Sequence, residues 1–193
     1  MFPLGSVLLP HMPLPLRVFE PRYLEMLAQI LEHEPSEFGV VLIERGQEVG
    51  GGEKRMMLGT VAQIAQLDAA DVGVLILAQG ERRIRITEWL EDDPFPRAGV
   101  EVLPELEWSD DLAGLRDEAD STVRRVLARA SEWEDQQWSA QVELSADPVE
   151  SAWQLAGIAP LGPIDQLQLL RAETMQQLLN DLLRLCAEFE ETL

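Results

Sequence analysis

The opening of the chain, residues 1–27, reads MFPLGSVLLPHMPLPLRVFEPRYLEML and contains its most informative structural signals. Residues 6–9 form an apolar run of strand length, which Pro10 ends because proline has no backbone N–H to donate. Residues 11–15 contain too many prolines for regular structure, whereas residues 16–19 suit a second extended segment. The opening therefore predicts two short extended segments joined by an irregular link.

A helix is predicted directly after this opening. Pro21 suits the first helical position, and Glu20 precedes it at the positive end of the helix dipole. The apolar residues that follow have helical spacing: Tyr23, Leu27, Ile30 and Leu31. We expect the helix to continue to about Glu34, because Pro35 disfavours the helical conformation in the residue before it. His33 would then meet the negative end of the dipole.

From residue 38 to about residue 105 the apolar residues alternate with polar ones, and turn residues separate short β-branched runs. Strands are predicted at residues 38–43, 57–67, 72–78, 82–90 and 98–103. The glycine-rich residues 44–55 indicate a flexible hairpin loop, and residues 80–81 a tight turn. A bend is expected near Gly59.

The strand predicted at residues 82–90 has a clear facing pattern. Ile84 and Ile86 alternate with Arg83 and Arg85, so we expect the isoleucines in the core and the arginines on the opposite face. The strands together indicate a closed antiparallel sheet.

Beyond residue 107 the composition shifts to acidic residues, alanine, leucine and glutamine, and helical spacing returns. One helix is predicted at about residues 111–133. A second helix is predicted from Asp147, Pro148 and Glu150, which form a capping box with proline at the first helical position. Gly157 is expected to end it. Two more helices are expected, one after Pro163 and one from about residue 173 to the end. The chain is thus predicted to be α+β, with a β-rich domain at residues 1–107 and a helical bundle at residues 108–193.

Several segments resemble the N-terminal domain of the Lon proteases, the substrate-recognition part of these ATP-dependent enzymes. They are PLGSVLLP at 3–10, MPLPLRVFEPRYLEML at 12–27, FGVVLI at 38–43, LGTVAQI at 58–64, GERRIRI at 80–86 and Trp89-Leu90. His11 departs from the pattern, because a small residue, often glycine, is expected there. The resemblance implies a PUA-like pseudo-barrel with one early helix, and a stand-alone protein that lacks the ATPase and peptidase domains.

The net charge of −20 is concentrated in the second half of the chain. Residues 1–100 hold 15 acidic and 9 basic residues, a net of −6, and residues 101–193 hold 20 and 6, a net of −14. Such a surface repels phosphate backbones and anionic membranes, so we expect neither nucleic acid nor a membrane as a partner. The charge could also serve solubility alone. With one cysteine, Cys186, and a proline-rich opening unlike a signal peptide, the sequence favours the cytoplasm.

Motifs for catalysis are missing from the sequence. Lys54, its one lysine, follows Glu53 and precedes Arg55, so no phosphate-binding GxxxxGK[ST] loop exists. There is also no HExxH, CxxC or GxSxG motif, and two distant histidines with one cysteine provide no metal-ligand cluster. We therefore expect no enzyme activity, no cofactor and no metal. An enzyme whose site the sequence hides is the remaining alternative.

Surface side chains are the best candidates for function. The candidate polypeptide-binding residues are His11, Met12, Arg17, Glu20, Arg22, Arg82, Arg83 and Arg85. The arginines could offer guanidinium groups to a bound chain, and methionines such as Met12, Met56 and Met57 could accept varied apolar side chains. The alternatives are a solvated strand face with ion pairs such as Glu20–Arg22, and core packing for the methionines. Similarly, Trp133 and Trp138 could be buried anchors or partner contacts.

These observations lead to one functional hypothesis and its rival. The hypothesis is a non-enzymatic module that binds unfolded or exposed polypeptide segments through a groove near residues 10–22 and 82–85, with a protease or chaperone as a further partner. The rival is a PUA-like binder of a small molecule or RNA, although the charge opposes RNA. The sequence gives no indication of the oligomeric state.

Overall fold

The computed structural model describes residues 1–46, 48 and 52–193. The chain divides into two compact units, Met1–Pro104 and Glu105–Leu193. In its described residues the first contains a β-sheet and one helix, and the second is helical, so the chain is α+β as the sequence predicts. Within the described ranges, every helix is too short or too polar to cross a membrane.

The first unit is built on a single mixed sheet. Its elements are β1 (Phe2–Leu4), β2 (Pro13–Val18), α1 (Pro21–Ile30), β3 (Glu37–Arg45), β4 (Lys54–Ala69), β5 (Val74–Trp89) and β6 (Ala98–Val102). The strand order is β1-β3-β4-β5-β2, and β6 also pairs with β5. Strand β1 is parallel to β3, and all other pairs are antiparallel. One edge of β5 therefore carries two strands in succession, β2 at residues 74–79 and β6 at residues 84–89.

Bulges curl this sheet into a half-barrel. The register between β3 and β4 shifts after Val41, and the register between β4 and β5 shifts after Thr60 and after Ile64. Each extra residue bends its strand and increases the local twist. The predicted bend near Gly59 lies beside the first of these shifts. The concave side is apolar, with a core cluster of Val41, Val61, Ile84 and Ile86.

Strand β5 shows that one sequence prediction is wrong. The strand continues without interruption through Gly80, where the sequence indicates a tight turn. A Cβ atom on Gly80 would lie 2.2 Å from the carbonyl oxygen of Leu9. The glycine is therefore required by the close approach of another backbone segment, and not by a change of chain direction.

The opening segment also differs from its prediction. The first strand is Phe2–Leu4, and residues 6–9 are not a strand. Instead, Leu8 and Leu9 are buried, and the Thr60 hydroxyl donates a hydrogen bond of 2.6 Å to the carbonyl of Leu8. Pro13 and Pro15 belong to β2, where irregular structure is predicted. An edge strand tolerates proline because one side of it needs no N–H donors.

The backbone conformation at His11 explains why the family pattern has a small residue there. His11 has a φ of 59°, in the left-handed region that glycine occupies most easily. This conformation lets the His11 N–H bond to the Gly80 carbonyl at 2.8 Å, while the Gly80 N–H bonds to the Met12 carbonyl at 2.9 Å. The expected small residue thus reflects a backbone requirement at the start of β2.

Helix α1 ends at Ile30, earlier than the predicted Glu34. Its buried residues are Tyr23, Met26 and Leu27, whereas Leu31 is exposed. Residues 31–35 are all exposed, so little burial favours a further turn. His33 consequently lies past the helix end. The predicted loop at residues 44–55 includes residues 47 and 49–51, which lie outside the described residues.

The second unit contains a short 3-10 helix, Asp110–Leu112, and four α-helices within the described residues. They are α2 (Ala113–Ala130), α3 (Pro148–Ile158), α4 (Pro163–Leu170) and α5 (Met175–Glu190). Helix α2 packs against α3 and α5, and α4 packs against α3 and α5. The Asp147 carboxylate caps α3 by accepting from the N–H groups of Val149 and Glu150 at 2.9 and 3.0 Å. The Asp147 N–H itself donates to Ser145 Oγ at 3.1 Å. Helix α3 also continues one residue beyond Gly157.

Cys186 is buried on the apolar face of α5, as its position predicts. Burial raises the pKa of its thiol to about 12, so the reactive thiolate is scarce near neutral pH. We expect the native protein at pH 8 to react with a thiol reagent roughly 1,000-fold more slowly than the denatured chain. A time course of thiol labelling with and without denaturant measures the ratio. Equal rates would contradict the buried position.

Candidate functional site

A groove of about 210 Å³ lies between β1 and β2, the strands at the two ends of the sheet order. We call it the seam groove, because it occupies the open side of the half-barrel. Its lining residues are Phe2, Leu4, Pro15, Leu16, Arg17, Val18, Phe19, Glu20, Tyr23 and Glu48. Within the described residues, β1 pairs only with β3 and β2 only with β5, so each strand has one unpaired edge.

Aromatic rings form the base of the seam groove. Phe2 stacks on Tyr23 with ring centroids 4.1 Å apart and an interplanar angle of 17°. Phe38 lies 6.0 Å from Phe2, which extends the cluster into the core. At the rim, Phe19 is 48% exposed. The groove therefore offers an aromatic floor and one accessible ring to an apolar ligand group.

Charged side chains of both signs lie at the rim. Arg17 is exposed, and its Nε donates a long bond of 3.4 Å to the Val72 carbonyl; it makes no ion pair with any described residue. Glu20 and Arg22 form an ion pair of 3.2 Å, with the Arg22 guanidinium 4.5 Å from the centre of the Tyr23 ring. Arg17 is therefore the rim cation with the most freedom to meet a ligand.

A buried polar cluster adjoins Tyr23. The Tyr23 hydroxyl is buried and has no hydrogen-bond partner within the described residues, and burial raises its pKa to about 12. Glu53 and Arg55 are close enough to Tyr23 to influence that pKa. Arg55 joins Glu53 at 2.7 Å and holds Asp92 through two bonds of 3.1 and 2.7 Å. This bidentate contact lowers the pKa of Asp92.

An apolar strip on the outer face of the sheet continues from the seam groove. Pro15 faces Leu77 across the β2–β5 pair, and Arg17 faces Leu75. Pro13, Pro15, Leu75 and Leu77 are all exposed. Because residues directly opposite each other share a face, these side chains form one surface, which we call the outer strip.

The structure brings only part of the predicted site together. Arg17 and Glu20 line the seam groove, and Arg22 lies beside it through its contacts with Glu20 and Tyr23. Met12 is buried and His11 is half-buried just before β2, and neither lines the seam groove.

The three predicted arginines of β5 lie farther along that strand, beyond the residues that pair with β2. Arg82 binds Glu37 at 2.6 Å and Arg85 binds Glu101 at 3.2 Å. Arg83 is buried, whereas the alternative considered from the sequence was a solvated strand face. Its Nη2 donates a hydrogen bond of 2.8 Å to the Pro104 carbonyl, and burial lowers the pKa of its guanidinium group. None of the three lines the seam groove.

Several groove residues were not singled out from the sequence. Phe2, Leu4, Phe19, Tyr23 and Glu48 come from β1, the link between β2 and α1, α1 and the segment after β3, and they meet only in the folded chain. One signal available in the sequence was the pair Pro13 and Pro15, because prolines within a strand favour a sheet edge. Trp133, considered as a buried anchor, is 75% exposed. No group of three or more potential metal ligands is gathered in the described parts of the chain.

The chain is similar to known proteins along nearly its whole length. Residues 1–188 match the family model described as the ATP-dependent protease La (LON) substrate-binding domain. The solved Lon N-terminal domain protein from Xanthomonas campestris is 28% identical with a TM-score of 0.66, over 95% of this chain and 95% of that chain. The N-terminal domain of the Mycobacterium avium complex Lon protease is 21% identical with a TM-score of 0.65, over 96% and 97%. No curated protein matches the chain.

Proposed function

Because the chain belongs to the family of the LON substrate-binding domain, we propose that it recognises exposed, extended segments of other polypeptides through the seam groove. The observation that carries this proposal is the apolar, aromatic-floored groove at the open side of the half-barrel. It continues onto the outer strip, so a bound segment could place successive apolar side chains on both surfaces.

Recognition is expected to use side chains more than backbone pairing. An unpaired strand edge can accept an extra strand, which is one common mode of peptide binding. However, Pro13 and Pro15 remove two N–H donors from β2, and prolines on an edge discourage such pairing. The rim cation Arg17 adds a contact for a carboxylate or a backbone carbonyl of the bound segment.

The matched family domain is the substrate-binding part of Lon, so we propose that this chain performs no chemistry and delivers bound polypeptides to a separate protease or chaperone. We also propose a PUA-like half-barrel at residues 1–107, a helical bundle at residues 108–193 and a cytoplasmic location. Packing of α2 against α3 and α5 and the single buried cysteine support these assignments. The net charge of −20 opposes RNA as a ligand.

Replacing Phe19 by glutamate tests the groove. Phe19 lines it and is 48% exposed, so the substitution removes an apolar contact and adds a charge without disturbing the core. We expect at least about tenfold weaker binding of a permanently unfolded, fluorescently labelled model protein, measured by anisotropy titration.

Leu31→Glu is the matched control, because Leu31 is 45% exposed and lies outside the groove. It should bind like the original protein. Equal weakening by both substitutions, or no saturable binding by the unsubstituted protein, would remove the proposal.

A further inference from the structure

A second cleft, of about 340 Å³, lies within the helical unit. We call it the helical cleft. It is lined by Leu127, Glu134, Asp135, Gln136, Gln137, Trp138, Gly157, Ile158, Ala159, Pro160, Leu161, Gly162, Gln166 and Phe189. The proposed polypeptide recognition by the first unit does not use it.

The floor of the helical cleft is apolar. Leu127, Ile158 and Leu161 are buried, and Trp138 and Phe189 are half-buried. Trp133, immediately before the lining residue Glu134 in the chain, is 75% exposed. Tryptophan is mostly buried on average and is enriched at the centres of protein interfaces, so an exposed tryptophan beside the cleft suits contact with a partner. The cleft can therefore accept an apolar side chain.

The rim of the helical cleft is acidic. Glu134 and Asp135 are exposed and form no ion pair with any described residue, and no basic residue lines the cleft. The unit as a whole holds 19 acidic and 6 basic residues and no lysine, a net charge of −13. Five of its arginines already pair with acidic residues of the unit: Arg116, Arg124, Arg125, Arg129 and Arg184. The rim charge is thus left for a ligand to neutralise.

Helix polarity adds to this negative potential. Helices α2, α3 and α5 each contribute a lining residue from their last turn, namely Leu127, Ile158 and Phe189. Helix α4 contributes its N-terminal end at Gly162. A helix C-terminus carries about half a negative charge and an N-terminus the opposite, so three negative ends meet one positive end here.

We propose that the helical cleft binds a short cationic segment of a partner protein, in which lysine or arginine residues flank one aromatic or aliphatic side chain. The apolar side chain occupies the floor, and the basic residues meet Glu134 and Asp135. Charge complementarity selects this occupant. A second copy of this chain would bring a further net charge of −20 to an already acidic surface.

The test uses the full chain, labelled with ¹⁵N, and a twelve-residue synthetic peptide in which pairs of lysines separate single leucine or phenylalanine residues. We expect saturable shifts of the amide signals around the cleft, with a dissociation constant of about 100 μM or lower at low salt. Binding should weaken at least about fivefold when salt reaches 300 mM, because ions screen the rim charges. A peptide with glutamate at every lysine position should not bind.

The double substitution Glu134→Gln with Asp135→Asn is expected to weaken binding by about three- to tenfold. Glu118→Gln with Glu173→Gln removes the same charge from exposed positions outside the cleft and should change binding by less than about twofold. A Cβ atom at Gly162 meets nothing within 4 Å, so the fold accommodates either Gly162→Lys or Gly162→Glu. The lysine variant should bind the cationic peptide more weakly than the glutamate variant.

Equal effects of the two double substitutions, equal binding of both peptides, or amide shifts confined to residues 1–104 would overturn the proposal. Equal effects of the two double substitutions, or equal binding of the two peptides, would indicate non-specific binding. Amide shifts confined to residues 1–104 would indicate binding in the seam groove. Loss of unfolded-protein binding in Phe19→Glu with retained cationic-peptide binding would separate this site from the proposed function of the first unit.

Discussion

Gly80→Ala is expected to lower the free energy of unfolding of the β-rich unit by about 3 kcal/mol or more. The added methyl carbon would lie 2.2 Å from the Leu9 carbonyl oxygen, well inside van der Waals contact. The Cβ is fixed directly by the Gly80 backbone and its neighbour is a backbone atom, so neither a rotamer change nor a flexible side chain can relieve the contact, and such overpacking is costly. Hydrogen exchange of the β5 amides measures this loss of stability in the strand that contains Gly80.

Gly114→Ala is the matched control, because it is the same chemical change in an open place. A Cβ atom at Gly114 meets nothing within 4 Å, and the residue lies in α2. We expect a gain of about 0.5–1 kcal/mol, since alanine favours helix and restricts the unfolded chain. A Gly80→Ala protein as stable as the original would contradict the close packing of residues 8–9 on β5.

Arg55→Met is expected to cost about 3–5 kcal/mol, because it leaves a buried carboxylate without its cation. The Glu53 side chain is 1% exposed and that of Arg55 10%, and they are joined at 2.7 Å. Arg55 also lies 4.8 Å from the centre of the Trp89 ring and clamps Asp92. Denaturant unfolding followed through hydrogen exchange in β4 reports the change.

Two comparisons make this prediction specific. Lys54→Met breaks the neighbouring ion pair with Glu44, but the Lys54 side chain is 70% exposed, so the loss should stay below about 1 kcal/mol. Glu53→Gln combined with Arg55→Met should recover much of the loss, because it removes the stranded charge. Equal losses for Lys54→Met and Arg55→Met would show that the cluster is not buried in solution.

The same cluster sets a pH dependence. Arg55 lowers the pKa of Asp92 in the folded state below its unfolded value of 3.8. The folded state therefore binds fewer protons there than the unfolded state, and the stabilisation is present above pH 3.8 and lost as the pH falls through the lowered value. The stability difference between the original protein and Arg55→Met should accordingly narrow in strong acid.

Local sequence patterns predicted the presence of helices and strands more accurately than the connections between them. The alternation of Ile84 and Ile86 with arginines correctly placed the isoleucines in the core, and Asp147 caps α3 as its position before Pro148 indicates. Gly80 was misinterpreted, because a glycine in a turn and a glycine under another backbone look alike in one sequence. Only the folded position of Leu9 distinguishes them.

The candidate site was harder to predict than the fold, because its walls come from distant parts of the chain. Arg17 and Glu20 were found from the opening signature, yet Phe2 and Glu48 join them only through the curling of the sheet. Arg82, Arg83 and Arg85 are the same residue type within one predicted strand, but two form surface ion pairs and one is buried. Burial of a charged side chain depends on which carbonyl lies within reach, and spacing carries no information about that.

The buried Arg83 has a practical consequence for dissecting the protein. Its guanidinium donates to the Pro104 carbonyl, and its own carbonyl accepts from the Leu103 N–H at 2.9 Å. The main chain and the side chain of Arg83 thus bond to Leu103 and Pro104, the two residues that follow β6. A shortened protein that stopped at Val102 would lose these two attachments and deprive a buried cation of an acceptor, whereas one extended by two residues would keep them. The shortest version of the chain that keeps both attachments of the sheet therefore ends at Pro104.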